Sequence, residues 1–121
     1  MYTFFIPYPP SVNSYWGFKG HRRFLTPKAN EFKSSVAQIV SLNKINLGTA
    51  RLQIEIILYA TDKRIRDIDN SIKSCLDALV QASAFADDSQ VDVLTVKRGE
   101  VIKGGKAKII LKVLHFPKID I

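Results

Sequence analysis

Lys63–Asp88 reads KRIRDIDNSIKSCLDALVQASAFADD, and the rest of the chain is arranged around it. Three cations, Lys63, Arg64 and Arg66, lead into two carboxylates one residue apart, Asp67 and Asp69, followed by Asn70. Ile72, Cys75, Leu76, Leu79 and Val80 then recur at helical spacing and predict an amphipathic helix from Asp69 to near Ala82. Lys73 and Asp77 fall four and eight residues after Asp69, on its face of that helix. A connection over Phe85–Ser89 carries a second acidic pair, Asp87–Asp88.

Upstream of this stretch, Ala50–Ala60 (ARLQIEIILYA) alternates as a strand does. Leu52, Ile54 and Ile56 share one face, and Arg51, Gln53 and Glu55 share the other. Its end, Ile57–Leu58–Tyr59, is continuously apolar, as in a central strand. Farther back, Thr26–Pro27 is a helix start, with threonine as cap and proline at the first helical position. Phe32, Val36, Ile39 and Val40 supply the apolar stripe of a helix over 27–43. Tyr2–Ile6 reads as a first strand that Pro7, Pro9 and Pro10 terminate. Tyr15–Phe24 reads as a loop whose aromatics, Trp16 and Phe18, fold back onto the core while Lys19, Arg22 and Arg23 stay outside. Downstream, Val91–Ile102 and Lys106–Phe116 are predicted to pair as a hairpin across the Lys103–Gly104–Gly105 turn, with Pro117–Ile121 a loosely held tail. The expected fold class is α+β: a small mixed sheet with two helices on one face, in the order β–α–β–α–β–β.

At 121 residues the chain is expected to form one domain, 1–121. A formal net charge of +7 points to nucleic acid or another anionic partner, although solubility alone would also account for it. The one cysteine, Cys75, excludes an internal disulfide and a multi-cysteine zinc site, and it reads as a small core residue in a reducing cytoplasm. No apolar run reaches the ~20 residues of a membrane span, and the opening MYTFFIPYPP is not a signal peptide.

The acid clusters admit two kinds of reading. In the structural one, Asp67 or Asp69 caps the helix, Asp87–Asp88 turns the chain, and Lys73 pairs with Asp69 for only about 0.3–0.5 kcal/mol. In the chemical one, carboxylates hold a cation while lysines and arginines hold phosphates. A calcium-loop reading fails, because Ile72 stands where the glycine and Ala78 where the glutamate would be needed. A phosphotransferase reading is poor, since the pair follows a basic loop rather than a buried strand. With only His21 and His115, a serine–histidine–aspartate site is equally poor.

The whole string R-x-R-D-x-D-N-x-x-K followed by D-D resembles the RusA family of Holliday-junction resolvases. The strand leading into P-Y-P-P-S-V-N-S-Y and the Lys-Gly-Gly turn are similar as well. The resemblance spans nearly the whole chain. It implies a homodimeric, Mg²⁺-dependent endonuclease, with Mn²⁺ able to substitute, that cuts four-way branched DNA by paired symmetric nicks in recombination and repair. The cuts would leave 5′-phosphate and 3′-hydroxyl ends. It implies Asp67, Asp69 and Asp88 as catalytic metal ligands, Asp87 as a possible fourth, and Lys73 as the essential lysine. Lys19, Arg22, Arg23, Lys63, Arg64, Arg66, Lys97, Lys103 and Lys106 are the expected DNA contacts. No small-molecule cofactor and no membrane are expected, and the place of action would be the cytoplasm, at the nucleoid. The rival readings are a non-catalytic DNA-binding module and a nuclease acting on forks or flaps. One geometric question stays open. A helix of roughly 20 Å separates Asp69 from Asp88, so the loop doubles back, the helix is shorter, or a second subunit supplies Asp88.

Overall fold

The computed structural model describes residues 1–114. Among the described residues six strands and three helices form: β1 (Tyr2–Ile6), α1 (Val12–Tyr15), β2 (Trp16–Lys19), β3 (Arg22–Leu25), α2 (Pro27–Leu42), β4 (Leu52–Tyr59), α3 (Ile72–Gln81), β5 (Val91–Arg98) and β6 (Lys106–Val113). Short 3₁₀ turns precede α3 at Ile68–Ser71 and β5 at Asp88–Gln90. The main sheet runs β1-β6-β4-β5. β6 is antiparallel to both its neighbours, and β4 and β5 are parallel.

Alternation along β4 does what it predicts. Leu52, Ile54, Ile56 and Leu58 are buried, opposite Leu111, Ile109 and Ala107 of β6. Phe32, Val36 and Val40 of α2 and Cys75, Ala78 and Leu79 of α3 complete one core against that face. Both long helices therefore cover one side of a mixed sheet, as the α+β reading expects. β4 lies inside the sheet, between β6 and β5, and its other face leaves Ile57 and Tyr59 half-buried. Thr26 caps α2, accepting from the Ala29 N–H at 3.2 Å, with Pro27 in the first turn.

Two expectations are corrected. β5 and β6 do not pair as a hairpin, because β4 lies between them. The glycine turn itself is real: the Gly105 N–H donates to Ile102 at 2.8 Å, and Gly104 and Gly105 both have positive φ. It closes a longer link that passes the end of β4, tied there by Gly99 N–H to Leu58 O (2.9 Å) and Ile102 N–H to Ala60 O (2.9 Å). Turn chemistry specifies a reversal and leaves the neighbour open; here β6 takes its place between β1 and β4. The first of these strands accordingly ends at Arg98, not Ile102. The expected end of the last strand at Phe116, and the tail 117–121, lie outside the described residues.

Secondly, the segment read as a loop over 15–24 is a second, two-stranded sheet, β2–β3, joined by Gly20–His21. A two-residue link with positive φ at Gly20 is a hairpin signal. Phe18 is 72% exposed on this hairpin rather than in the core, because a two-stranded ribbon has no second layer to cover its outer face. Trp16 is half-buried, edge-on to Tyr15 at 5.5 Å and with the Arg23 guanidinium 3.9 Å over its ring.

Candidate active site

The Pro-rich segment after β1 anchors the start of α3. Ser71 Oγ donates to the Pro9 carbonyl at 3.2 Å, and Ser74 Oγ to the Pro10 carbonyl at 2.7 Å. Both serines and both prolines are buried. Polar groups buried with their partners satisfied position a helix more sharply than apolar contact alone. The Asp67–Asp69 turn is thereby held against the N-terminal strand.

Neither aspartate acts as a helix cap. Asp67 stands at the cap position of the 3₁₀ turn but accepts no capping bond, and the residue before α3 is Ser71. Both carboxylates are exposed, and none of the ion pairs among the described residues involves either one. In a chain of net charge +7, two acids without a cationic partner are chemically available.

Lys73, on the first turn of α3, does not pair with Asp69. It reaches forward: Nζ lies 3.2 Å from Asp77 Oδ1 and 3.0 Å from Asp88 Oδ2. Asp69 sits in the 3₁₀ turn, outside the α-helical spacing that would put it over Lys73. The carboxylate of Asp88 first, then that of Asp77, raises the Lys73 ammonium above the ordinary lysine value. Nearby, burial pushes the Tyr15 phenol up, and Asp77 adds to that.

Asp88 returns to Lys73 within one chain because α3 is short and the chain folds back. α3 spans ten residues, about 15 Å. It ends at Gln81, and two residues on, Ser83, with a φ of 64°, turns the chain back. Phe85 is fully buried, and Leu47 N–H donates to Ala84 O at 2.8 Å. Gln90 then fixes the turn. Its buried amide accepts from the N–H groups of Ala86 (2.8 Å) and Asp87 (2.7 Å) and donates to the carbonyls of Gly48 (2.9 Å) and Ala50 (2.8 Å). Arg51 clamps the same turn from outside, bonding Ser89 O at 3.0 Å and pairing with Asp92.

This turn separates the two acids of the second pair. Asp87 caps it, accepting from the Ser89 N–H at 3.1 Å and from the Ser89 hydroxyl, and those bonds hold its carboxyl below the usual range. Asp88 is left facing Lys73. Among the described residues, no group of three His, Cys, Asp or Glu side chains is gathered closely enough to hold a metal ion. The arrangement is an open pair, Asp67 and Asp69, with Asp88 held by the lysine.

A cleft of about 680 Å³ opens beside the pair, lined by Pro10, Lys28, Arg64, Asp67 and Asn70 among others. Of the expected DNA contacts, Arg64 borders it with its guanidinium largely exposed, and Lys63 is exposed on the same loop. Arg66 also borders the cleft, but its guanidinium folds back on Asp62 at 2.9 Å. Lys19, Arg22 and Arg23 lie on the β2–β3 hairpin, and Lys103 lies on the turn before β6. Lys97 pairs with Glu55 at 3.2 Å on the sheet face that carries no helix, and Lys106 lies 4.3 Å over the Phe5 ring. The nine cations thus do not form one cluster. Lys28, Gln90 and Arg51 were not among the site residues expected from the sequence. The D-x-x-Q spacing of Asp87 and Gln90 is a capping-box signal that would have found one of them.

The family described as Endodeoxyribonuclease RusA matches residues 7–113. A protein of Enterobacteria phage HK97 named crossover junction endodeoxyribonuclease rusA is 38% identical over 109 residues, covering 89% of this chain and 91% of that protein. The protein of that name from Escherichia coli K12 is 32% identical over 111 residues, covering 91% of this chain and 92% of its own length. The one from Enterobacteria phage 82 is likewise 32% identical.

Proposed function

The chain belongs to the RusA endodeoxyribonuclease family, and from that membership we propose that it is an endonuclease resolving four-way DNA junctions by paired symmetric nicks. The observation that carries the reading is the meeting of Lys73 with Asp88 at 3.0 Å, which joins the two separated halves of the acidic motif in one chain. Residues 1–121 act as a single nuclease domain. Two copies act together, because a four-way junction has two-fold symmetry and needs two cuts. Among the described residues no helix is long and apolar enough to cross a membrane, and the place of action is the nucleoid in the cytoplasm.

A divalent cation, Mg²⁺ or Mn²⁺ in its place, suits the donor chemistry: Asp67 and Asp69 offer hard oxygens that no cationic side chain among the described residues occupies. Asp67 and Asp69 would hold the ion, with Asp88 as the third carboxylate, now paired with Lys73, that would complete the set. When bound, such an ion would supply Lewis-acid polarisation of the phosphodiester and a lowered pKa for an attacking water. The chain's own residues do the rest. Lys73, held protonated, neutralises charge that grows on the phosphate oxygens, and Asp77 orients it from one turn along the helix. Lys63 and Arg64 hold flanking phosphates. The products are 5′-phosphate and 3′-hydroxyl ends, as recombination and repair require.

The test is a labelled synthetic four-way junction, incubated with and without Mg²⁺ beside the Asp69→Asn variant. Symmetric metal-dependent nicks that the variant loses support the reading. Binding without cutting in either metal would make the protein a DNA-binding module. Cutting of forks or flaps but not of junctions would overturn the substrate and keep the site.

A further inference from the structure

Ile65 stands at the crest of the loop between β4 and the Asp67 turn and is 98% exposed, more than any other large apolar side chain among the described residues. We propose that Ile65 is an apolar wedge that enters the base stack of bound DNA beside the phosphate presented to Asp67. The proposal rests on the junction-endonuclease reading above.

The exposure is not that of a slack loop. Asp62 accepts from the Arg64 N–H at 2.9 Å and pairs with the Arg66 guanidinium at 2.9 Å. Arg66 also donates to the carbonyls of Asp62 and Arg64, each at 3.2 Å, and its own carbonyl accepts from Arg98. The backbone on both sides of Ile65 is therefore tied down before any ligand arrives, so little ordering cost falls on binding.

Its setting selects the ligand. Lys63 and Arg64 flank it, which suits phosphates and not an apolar protein surface. Two grooves, of about 680 and 350 Å³, share Arg64, Ile65 and Arg66 as a common wall. Ile65 thus crowns a ridge between two channels, the shape met where two DNA arms diverge. An isoleucine cannot read base edges, having no hydrogen-bonding group. It can replace a stacking partner, as apolar side chains do where DNA is unstacked. Bases at a branch point have already lost part of their stacking, so the insertion costs least there.

The experiment uses the full chain carrying Asp69→Asn, so that the junction stays uncut, and a four-way junction with 2-aminopurine next to the branch. Anisotropy reports binding and 2-aminopurine emission reports unstacking in the same titration. The wedge requires a several-fold rise in emission at saturation. Ile65→Leu should keep the rise, and Ile65→Ala and Ile65→Ser should lose it while still binding through the flanking cations. Binding without a rise, or a rise that survives Ile65→Ala, would overturn the wedge and leave the junction reading intact. A change in molecular mass by light scattering in Ile65→Ala would make Ile65 a subunit contact instead and overturn the wedge. Failure of the Ile65-containing protein to bind the junction at all would overturn the junction reading itself, and the wedge with it.

Discussion

Lys73 Nζ lies 3.0 Å from Asp88 Oδ2, joining the first turn of α3 to the turn that opens β5, although fifteen residues separate them in sequence. With Asp77 as a second partner, the ammonium is held in place but stays 63% exposed. An exposed pair of this kind contributes little to stability. Lys73→Met should cut junction cleavage by roughly 10²–10³-fold while junction binding and the urea midpoint barely move. Single-turnover cleavage beside a binding titration checks this. Because the folded pKa is raised, whatever stability the pairs add is fully present below about pH 10.4 and is lost as pH rises through the higher folded value.

Asp87 and Asp88 are neighbours with different partners, and their variants should part accordingly. Asp88→Asn should abolish cleavage with a melting temperature near that of the parent. Asp87→Ala should retain cleavage and melt lower, having lost the cap to Ser89. The lowered pKa of Asp87 gives the sign with pH: its stabilisation is present above about pH 3.9 and fades as pH falls through the folded value. Melting curves at pH 3 and pH 7 for Asp87→Ala and its parent should converge at the lower pH.

Gln90 makes four hydrogen bonds from a buried amide. Gln90→Leu leaves two N–H groups and two carbonyls without these partners and should cost about 2–4 kcal/mol in urea unfolding. The same change frees the turn that aims Asp88, so cleavage should fall further than the unfolded fraction accounts for.

Cys75 is fully buried against the sheet, and burial pushes its thiol up to about 12. The native protein should resist thiol reagents at pH 8 and react once unfolded in urea. Between about pH 8.5, where an unfolded thiol ionises, and the folded value, this group makes stability fall as pH rises. Cys75→Ala should remove that component and cost about 1 kcal/mol at neutral pH.

Much of the architecture was legible locally. The period of Leu52, Ile54 and Ile56, the Thr26–Pro27 start and the stripe of α3 name their elements, because alternation and capping are properties of a few adjacent residues. The candidate site residues, Asp67, Asp69, Lys73 and Asp88, could be named from sequence because they stand in one short stretch whose spacing resembles a family motif. The neighbours in space could not. β4 separates β5 from β6, a choice of neighbours among strands that no turn signal records. Whether Asp88 reached Lys73 depended on where a folded-back loop found hydrogen bonds, and these came from Gly48 and Ala50, some forty residues upstream. Likewise the outward Ile65 and the folded-back Arg66 look alike in sequence, each one residue of a basic loop; only the carboxylate of Asp62 and the carbonyls around it set their opposite directions. The sequence by itself determined which elements form and which residues carry charge, since those depend on local periodicity and composition. The tertiary structure decided which of those charges meet, since that depends on where the chain satisfies its buried polar groups.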